Sequence, residues 1–159
     1  MKPQRSVLFV CLGNICRSRT AEGVMRRRIT ERGLEDRVAV GSAGTGDYHV
    51  GEPADPRMRR AAARRGYELD GTARQVDRGD FERFDLIVAM DRENLRDLRY
   101  LKRRAGSGET ARVHLLSDFL PAGSPVDVPD PYYQGGFDRV IDLIEEACPA
   151  ILDRLAGAG

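Results

Sequence analysis

The sequence predicts a single α/β domain in which a parallel sheet of four strands is flanked by helices on both faces. Three observations carry this. Short apolar, β-rich runs alternate with helically spaced apolar residues along the chain, the pattern of βαβ units and of a parallel sheet covered on both sides. The first such run feeds a glycine-bearing loop and then a helix. A length of 159 residues fills one domain with a proper core and leaves little room for a second.

Ser6 to Val10 (SVLFV) is the first apolar run and reads as a buried strand. The loop Cys11 to Ser18 (CLGNICRS) follows. Ala21, Val24, Met25 and Ile29 then recur at helical spacing, with Ser18 as the expected N-cap and Gly33 as the stop. Arg37 to Val40 is the second expected strand, ahead of a GSAGTG loop. Asp55 to Arg65 is a basic helix ended by Gly66, and Phe84 to Ala89 is a third strand. Asp91 opens a helix carrying Leu95, Leu98 and Leu101, and Arg103 to Thr110 reads as a Gly-rich linker. Ala111 to Leu116 is the fourth strand, and the proline-rich stretch Pro121 to Pro131 is an irregular loop. From Gly136 the last helix carries an apolar stripe from Phe137 to Leu155, with a kink expected at Pro149.

Hydrophobic residues make up 41% of the chain and charged residues 32%, which is the balance of a globular domain rather than a disordered one. The net charge of +1 argues for neither nucleic acid nor a membrane surface as partner. There is no apolar run of bilayer length and no secretory signal pattern. A cytoplasmic protein is expected, although a signal-less export route would leave no mark. Three cysteines do not make a disulfide framework, and two distant histidines argue against a zinc site. No metal and no cofactor is expected.

The chemistry concentrates in Cys11-Leu12-Gly13-Asn14-Ile15-Cys16-Arg17-Ser18. Ligands of open α/β sheets bind at the carboxyl ends of strands. A helix N-terminus there offers free N–H groups and a positive dipole end, and a tight loop of N–H groups can cradle phosphate oxygens. Cys11 would lie at the bottom of that cradle as a nucleophile, its thiolate favoured by the helix end and by Arg17. The planar guanidinium of Arg17 can hold two phosphate oxygens at once. Ser18 can donate to the sulfur, Gly13 permits a turn that a Cβ would block, and Asn14 tolerates left-handed backbone angles. Leu12, Ile15 and Cys16 complete the phosphate-binding loop. Attack on phosphorus needs an acid for the leaving group. Asp130, in Asp-Pro-Tyr-Tyr on the loop after the fourth strand, can reach the same rim.

With these residues in view, the chain resembles the low-molecular-weight protein-tyrosine phosphatases. The resemblance rests on VCLGNICRS, on DPYY, on Ser42 to Asp55 (SAGTGDYHVGEPAD) and on Ala89 to Leu95 (AMDRENL). It implies a flavodoxin-like fold of the phosphotyrosine phosphatase I type, and hydrolysis of phosphotyrosine in protein substrates through a cysteinyl-phosphate, by a monomer or weak dimer. It also implies that Ser42 bonds Asn14, that Asp91 is an acid near the loop, and that Leu12, Tyr48, Tyr132 and Tyr133 line a ring-binding cleft. Cys16 matches a second thiol able to form a reversible disulfide with the nucleophile. One departure is plain: the family usually has proline where this chain has Arg19, which is expected to add a cation near the mouth.

Rival functions are an arginine phosphatase or an arsenate reductase of the same fold, and a non-catalytic phosphotyrosine-binding module. Ile15 with the paired tyrosines argues against the first. The lack of cysteines between Cys16 and Cys148 argues against the second. The presence of Cys11, Arg17 and Asp130 together argues against the third. Cys148 reads as core, His49 and His114 as structural. The arginines from Arg57 to Arg65 read as a solvated face, with an acidic-partner surface as the alternative.

Overall fold

A computed structural model describes residues 4–106 and 111–157. Four strands, β1 (Arg5–Cys11), β2 (Val38–Gly44), β3 (Leu86–Ala89) and β4 (Arg112–Leu115), form one sheet in the order β2-β1-β3-β4. All three pairings are parallel. β1 is therefore central, and its two faces are both buried. Val7, Phe9 and Cys11 point into one hydrophobic cluster, Leu8 and Val10 into the other, as the two-residue period of a strand requires.

The first cluster is closed by α1 (Arg17–Glu31), α2 (Pro56–Arg64) and α6 (Phe137–Gly157). The second is closed by α3 (Asp80–Arg83) and α4 (Arg92–Ala105). α1 buries the expected Ala21, Val24, Met25 and Ile29. It stops at Gly33, whose φ of 64° is left-handed. Gly33 N–H donates to Thr30 O and Leu34 N–H to Ile29 O, which together make the Schellman motif. α6 packs its stripe from Val140 to Leu155 against α1 and the sheet, and is one helix through Pro149.

The structure corrects several sequence expectations. β2 runs on through Gly41, Ser42, Ala43 and Gly44, each in register with β1. These small residues carry no β-pattern. They suit the strand because the neighbouring chain comes so close: an ideal Cβ on Gly44 would lie 2.5 Å from Leu12 O. Ser18 is not the N-cap of α1. Cys16 takes that place without a side-chain cap, because the Ser18 hydroxyl is turned to Cys11. α3, the 3-10 turn Leu116–Phe119 and the short α5 (Pro131–Gln134) were not legible as elements. The start of the Gly-rich linker belongs to α4, which extends to Ala105. The linker's residues 107–110 lie outside the described residues.

Candidate active site

β1 ends at Cys11 and α1 begins at Arg17, so the strand delivers a thiol and the helix delivers a guanidinium to one loop. Cys11 and Arg17 are each 3% exposed. Asn14 reverses the loop with a φ of 58°, the left-handed angle that Asn accepts at little cost. Among the described residues, no backbone N–H from Leu12 to Ser18 donates to any backbone or side-chain acceptor. The first turn of α1 leaves some of these free by rule. The loop leaves the rest free, and free N–H groups on such a loop are able to meet an anion.

Donor counting fixes the direction of the hydrogen bonds behind the loop. Asn14 Oδ1 accepts the Arg74 N–H at 3.0 Å, which orients the amide. Asn14 Nδ2 then has two hydrogens, and gives one to Ser18 Oγ at 2.8 Å and one to Ser42 Oγ at 3.0 Å. Each serine has a single proton to give in turn. Ser42 gives its proton to Glu22 Oε1 at 2.5 Å. Ser18 keeps its own proton, and its Oγ lies 2.9 Å from Cys11 Sγ, to which it donates when the sulfur is a thiolate.

Arg17 is held from the far side. Its Nη1 donates to Asp91 Oδ2 at 2.7 Å and to the Val128 carbonyl at 3.0 Å, and Nη2 lies 3.6 Å from Asp130 Oδ2. Burial works against the charge of Arg17. The charges of Cys11, Asp91 and Asp130, with the Asp91 hydrogen bond, outweigh it and raise its pKa. Asp130 is 44% exposed at the rim. Its Oδ1 accepts the Tyr132 N–H and so caps α5.

A cleft of about 350 Å³ opens over the loop, lined by Cys11, Arg17, Tyr48, Asp130, Tyr132 and Tyr133 among others. Leu12 stands on its lip. Tyr132 and Tyr133 meet edge to face with centroids 4.8 Å apart. Burial, with the negative charges of Asp55, Cys11 and Asp130, pushes the Cys16 thiol far up. Cys16 is therefore a neutral thiol at the bottom of the cleft. Among the described residues no group of three or more His, Cys, Asp or Glu side chains could hold a metal ion. No described helix is long and apolar enough to cross a membrane.

The geometry brings Cys11 to Gly13, Ile15 to Arg17, Tyr48, Asp130, Tyr132 and Tyr133 together at the cleft, with Asp91 bonded to Arg17, and with Ser18 and Ser42 bonded to Asn14. It also corrects three readings. Arg19 does not line the cleft: its side chain is buried behind the loop against Gly71 and Thr72. His49, read as structural, lines the cleft, with its ring 5.7 Å from Tyr132. Gly13 lacks positive φ. What it supplies is room, since a Cβ there would meet His49 Cδ2 at 2.9 Å. Sequence reasoning missed Glu22, the Val128 carbonyl and the Arg74 N–H. Two of these are backbone atoms that no residue type announces.

Comparisons with known proteins give the family. The profile of the family described as low molecular weight phosphotyrosine protein phosphatase matches residues 6–158. A low molecular weight protein-tyrosine-phosphatase of Streptomyces coelicolor is 47% identical over 150 residues, covering 92% of this chain and 90% of that protein. Among solved structures, YfkJ from Bacillus subtilis superposes with a TM-score of 0.90 at 39% identity, covering 99% of this chain and 98% of that one. A Drosophila arginine phosphatase superposes with a TM-score of 0.88 at 31% identity, covering 94% and 97%. The fold and the matches define a phosphoric monoester hydrolase of the protein-tyrosine phosphatase class. The chain belongs to the low molecular weight phosphotyrosine protein phosphatase family.

Proposed function

We propose that this chain, acting as one domain, hydrolyses phosphotyrosine in proteins, with Cys11 as nucleophile, Arg17 as phosphate clamp and Asp130 as general acid and base. The carrying observation is the run of unpaired N–H groups from Leu12 to Ser18 around the Cys11 sulfur. Three phosphoryl oxygens need such donors, and among the described residues nothing occupies them. The Cys11 thiolate forms a bond to phosphorus as the bond from phosphorus to the tyrosyl oxygen breaks. Asp130 gives that oxygen its proton, so that tyrosine leaves neutral. Asp130, now a carboxylate, takes a proton from water as the water oxygen attacks the cysteinyl-phosphate. The sulfur departs as a thiolate, accepting the Ser18 hydrogen bond. Arg17 and the loop N–H groups hold the equatorial oxygens throughout.

The tyrosines on the cleft wall favour an aromatic leaving group over phosphoarginine, the substrate class named for one of the structural neighbours. The reading includes action in the cytoplasm by a monomer or weak dimer, with no part for nucleic acid or membrane. It is tested by hydrolysis of an aryl phosphate in EDTA by wild type, Cys11→Ser and Asp130→Ala, with phosphoarginine in parallel. Turnover lost in Cys11→Ser and strongly slowed in Asp130→Ala is expected. Absence of aryl-phosphate turnover by folded, reduced wild type would overturn the reading.

A further inference from the structure

Arg19 is an unusual guanidinium. It lies on the first turn of α1, is 6% exposed, and its Nε has no partner among the described residues. Its Nη1 is 3.6 Å from Glu22 Oε1 and 3.5 Å from the Thr72 carbonyl. Room for it exists because residue 71 is glycine at a φ of 82°: an ideal Cβ there would stand 3.0 Å from Arg19 Nη2. A long cation is thus laid in a fitted slot, one turn from the phosphate loop and facing away from the cleft.

The carboxylate that it meets is the terminus of the hydrogen-bond chain behind Cys11. Glu22 Oε1 accepts from Ser42, whose oxygen accepts from Asn14, whose amide also donates to Ser18, whose hydroxyl lies 2.9 Å from the Cys11 sulfur. A carboxylate only accepts, so Glu22 takes the Ser42 proton and leaves Ser42 an acceptor for the Asn14 amide, which anchors Asn14 where it also donates to Ser18. Glu22 is itself only 13% exposed, and a mostly buried carboxylate needs a charge partner. Its other partner, Arg26, binds Oε2 from a side chain that is 51% exposed, where an ion pair contributes little. Arg19 is the buried one.

We infer that Arg19 is a positioning residue for Cys11, acting through Glu22, Ser42, Asn14 and Ser18. The inference rests on the phosphatase reading for its kinetic arm only. The test compares wild type with Arg19→Met, Arg19→Gln and Arg19→Lys, each first shown to be folded by its melting transition. Two neutral variants are used so that failure of one to fold leaves the other.

Loss of one directed hydrogen bond to the sulfur should lower kcat on an aryl phosphate about tenfold in both neutral variants. KM and the inhibition constant of inorganic phosphate should stay within about twofold, because the cradle and cleft walls are untouched. Arg19→Lys should recover most of kcat. In a double-mutant cycle, adding Arg19→Met to Glu22→Gln should cost little beyond Glu22→Gln alone. The second readout needs no turnover: alkylation of Cys11 by iodoacetate at about pH 6 should slow several-fold in the neutral variants and recover in Arg19→Lys.

Unchanged kcat and alkylation in both neutral variants would overturn the inference. So would a lysine variant no better than methionine, or a phosphate inhibition constant that rises in step with the loss of kcat, which would mark a collapsed loop. Arg19-dependent alkylation in a protein that turns over no aryl phosphate would keep the inference and sink the phosphatase reading.

Discussion

Asp91 divides its carboxylate between Arg17 and its own helix: Oδ2 accepts Arg17 Nη1 at 2.7 Å, while Oδ1 accepts the Asn94 N–H at 2.7 Å as the N-cap of α4. One side chain thus ties the orientation of the guanidinium to the start of a helix on the other side of the sheet. The two roles separate by substitution. Asp91→Asn keeps an oxygen for the cap and loses the charge. Its melting temperature should change little, while the inhibition constant of inorganic phosphate rises. Asp91→Ala should also lose about 1 kcal/mol of stability with the cap. Calorimetry and inhibition kinetics on the two variants check this.

Asp130 is half in solvent at the rim, 3.6 Å from Arg17 Nη2. If it protonates the leaving oxygen, its value depends on how much that oxygen needs a proton. Asp130→Ala should lower kcat/KM on phenyl phosphate by about 10²- to 10⁴-fold. On p-nitrophenyl phosphate, whose leaving group departs readily as an anion, the loss should be smaller. Equal losses on both esters would remove the acid role.

Gly44 pairs with Cys11 across the sheet, and a Cβ there would sit 2.5 Å from Leu12 O. Backbone, unlike a flexible side chain, cannot step aside without moving the loop. Gly44→Ala should cost about 1–3 kcal/mol and most of the activity. Gly33→Ala, where a Cβ meets nothing within 4 Å, should lose stability because of its left-handed φ but keep kcat. Thermal melts and aryl-phosphate kinetics on the pair distinguish the two outcomes.

Asp80 is fully buried and accepts from Arg74 Nη1 and Nη2, from Arg83 Nη2 and from the Asp77 N–H, all at 2.9–3.0 Å. Burial alone would raise its pKa. The Arg74 hydrogen bond and charge, the Asp77 N–H and Arg83 lower it instead. A carboxyl depressed in the folded state stabilises fully above its unfolded pKa, and that contribution is lost as pH falls through the folded value. Stability should therefore decline from about pH 4 downwards. Asp80→Asn should be less stable at neutral pH, by about 1–3 kcal/mol for weakening the hydrogen bonds of a buried carboxylate to two part-exposed arginines, and should show a flatter acid limb. Urea melts across the acid range check both parts.

How much of this was legible in the sequence follows from how each feature is encoded. The four strands and the α1, α4 and α6 stripes are periodic in apolar residues, so Val7 to Val10 and Val140 to Leu155 announced themselves. β2 beyond Val40 did not, because Gly41 to Gly44 are strand by virtue of their register against β1 and not by their own preference. At the site, Cys11, Arg17, Ser18 and Asn14 lie within a single turn of chain, and their residue types state their chemistry. Glu22 and Arg19 look like ordinary charged helix positions, and only the curl of Ser42 and Gly71 around them turns both inward. His49 was unreadable for the same reason: its contact with Tyr132 spans distant parts of the chain.

The order of the sheet has a consequence for how the protein comes into being. β1 precedes the other three strands in the chain and is one of the two inner strands, and it needs both β2 and β3 beside it before Cys11 has walls. Arg17 is then steadied by the Val128 carbonyl and by Asp91, and Asp130 follows the last strand. Synthesis runs from the N-terminus, so the ribosome releases the thiol early and its partners late. A chain made only as far as β2 carries a cysteine without its walls, and the cleft is complete only once the segment through Tyr133 has been made.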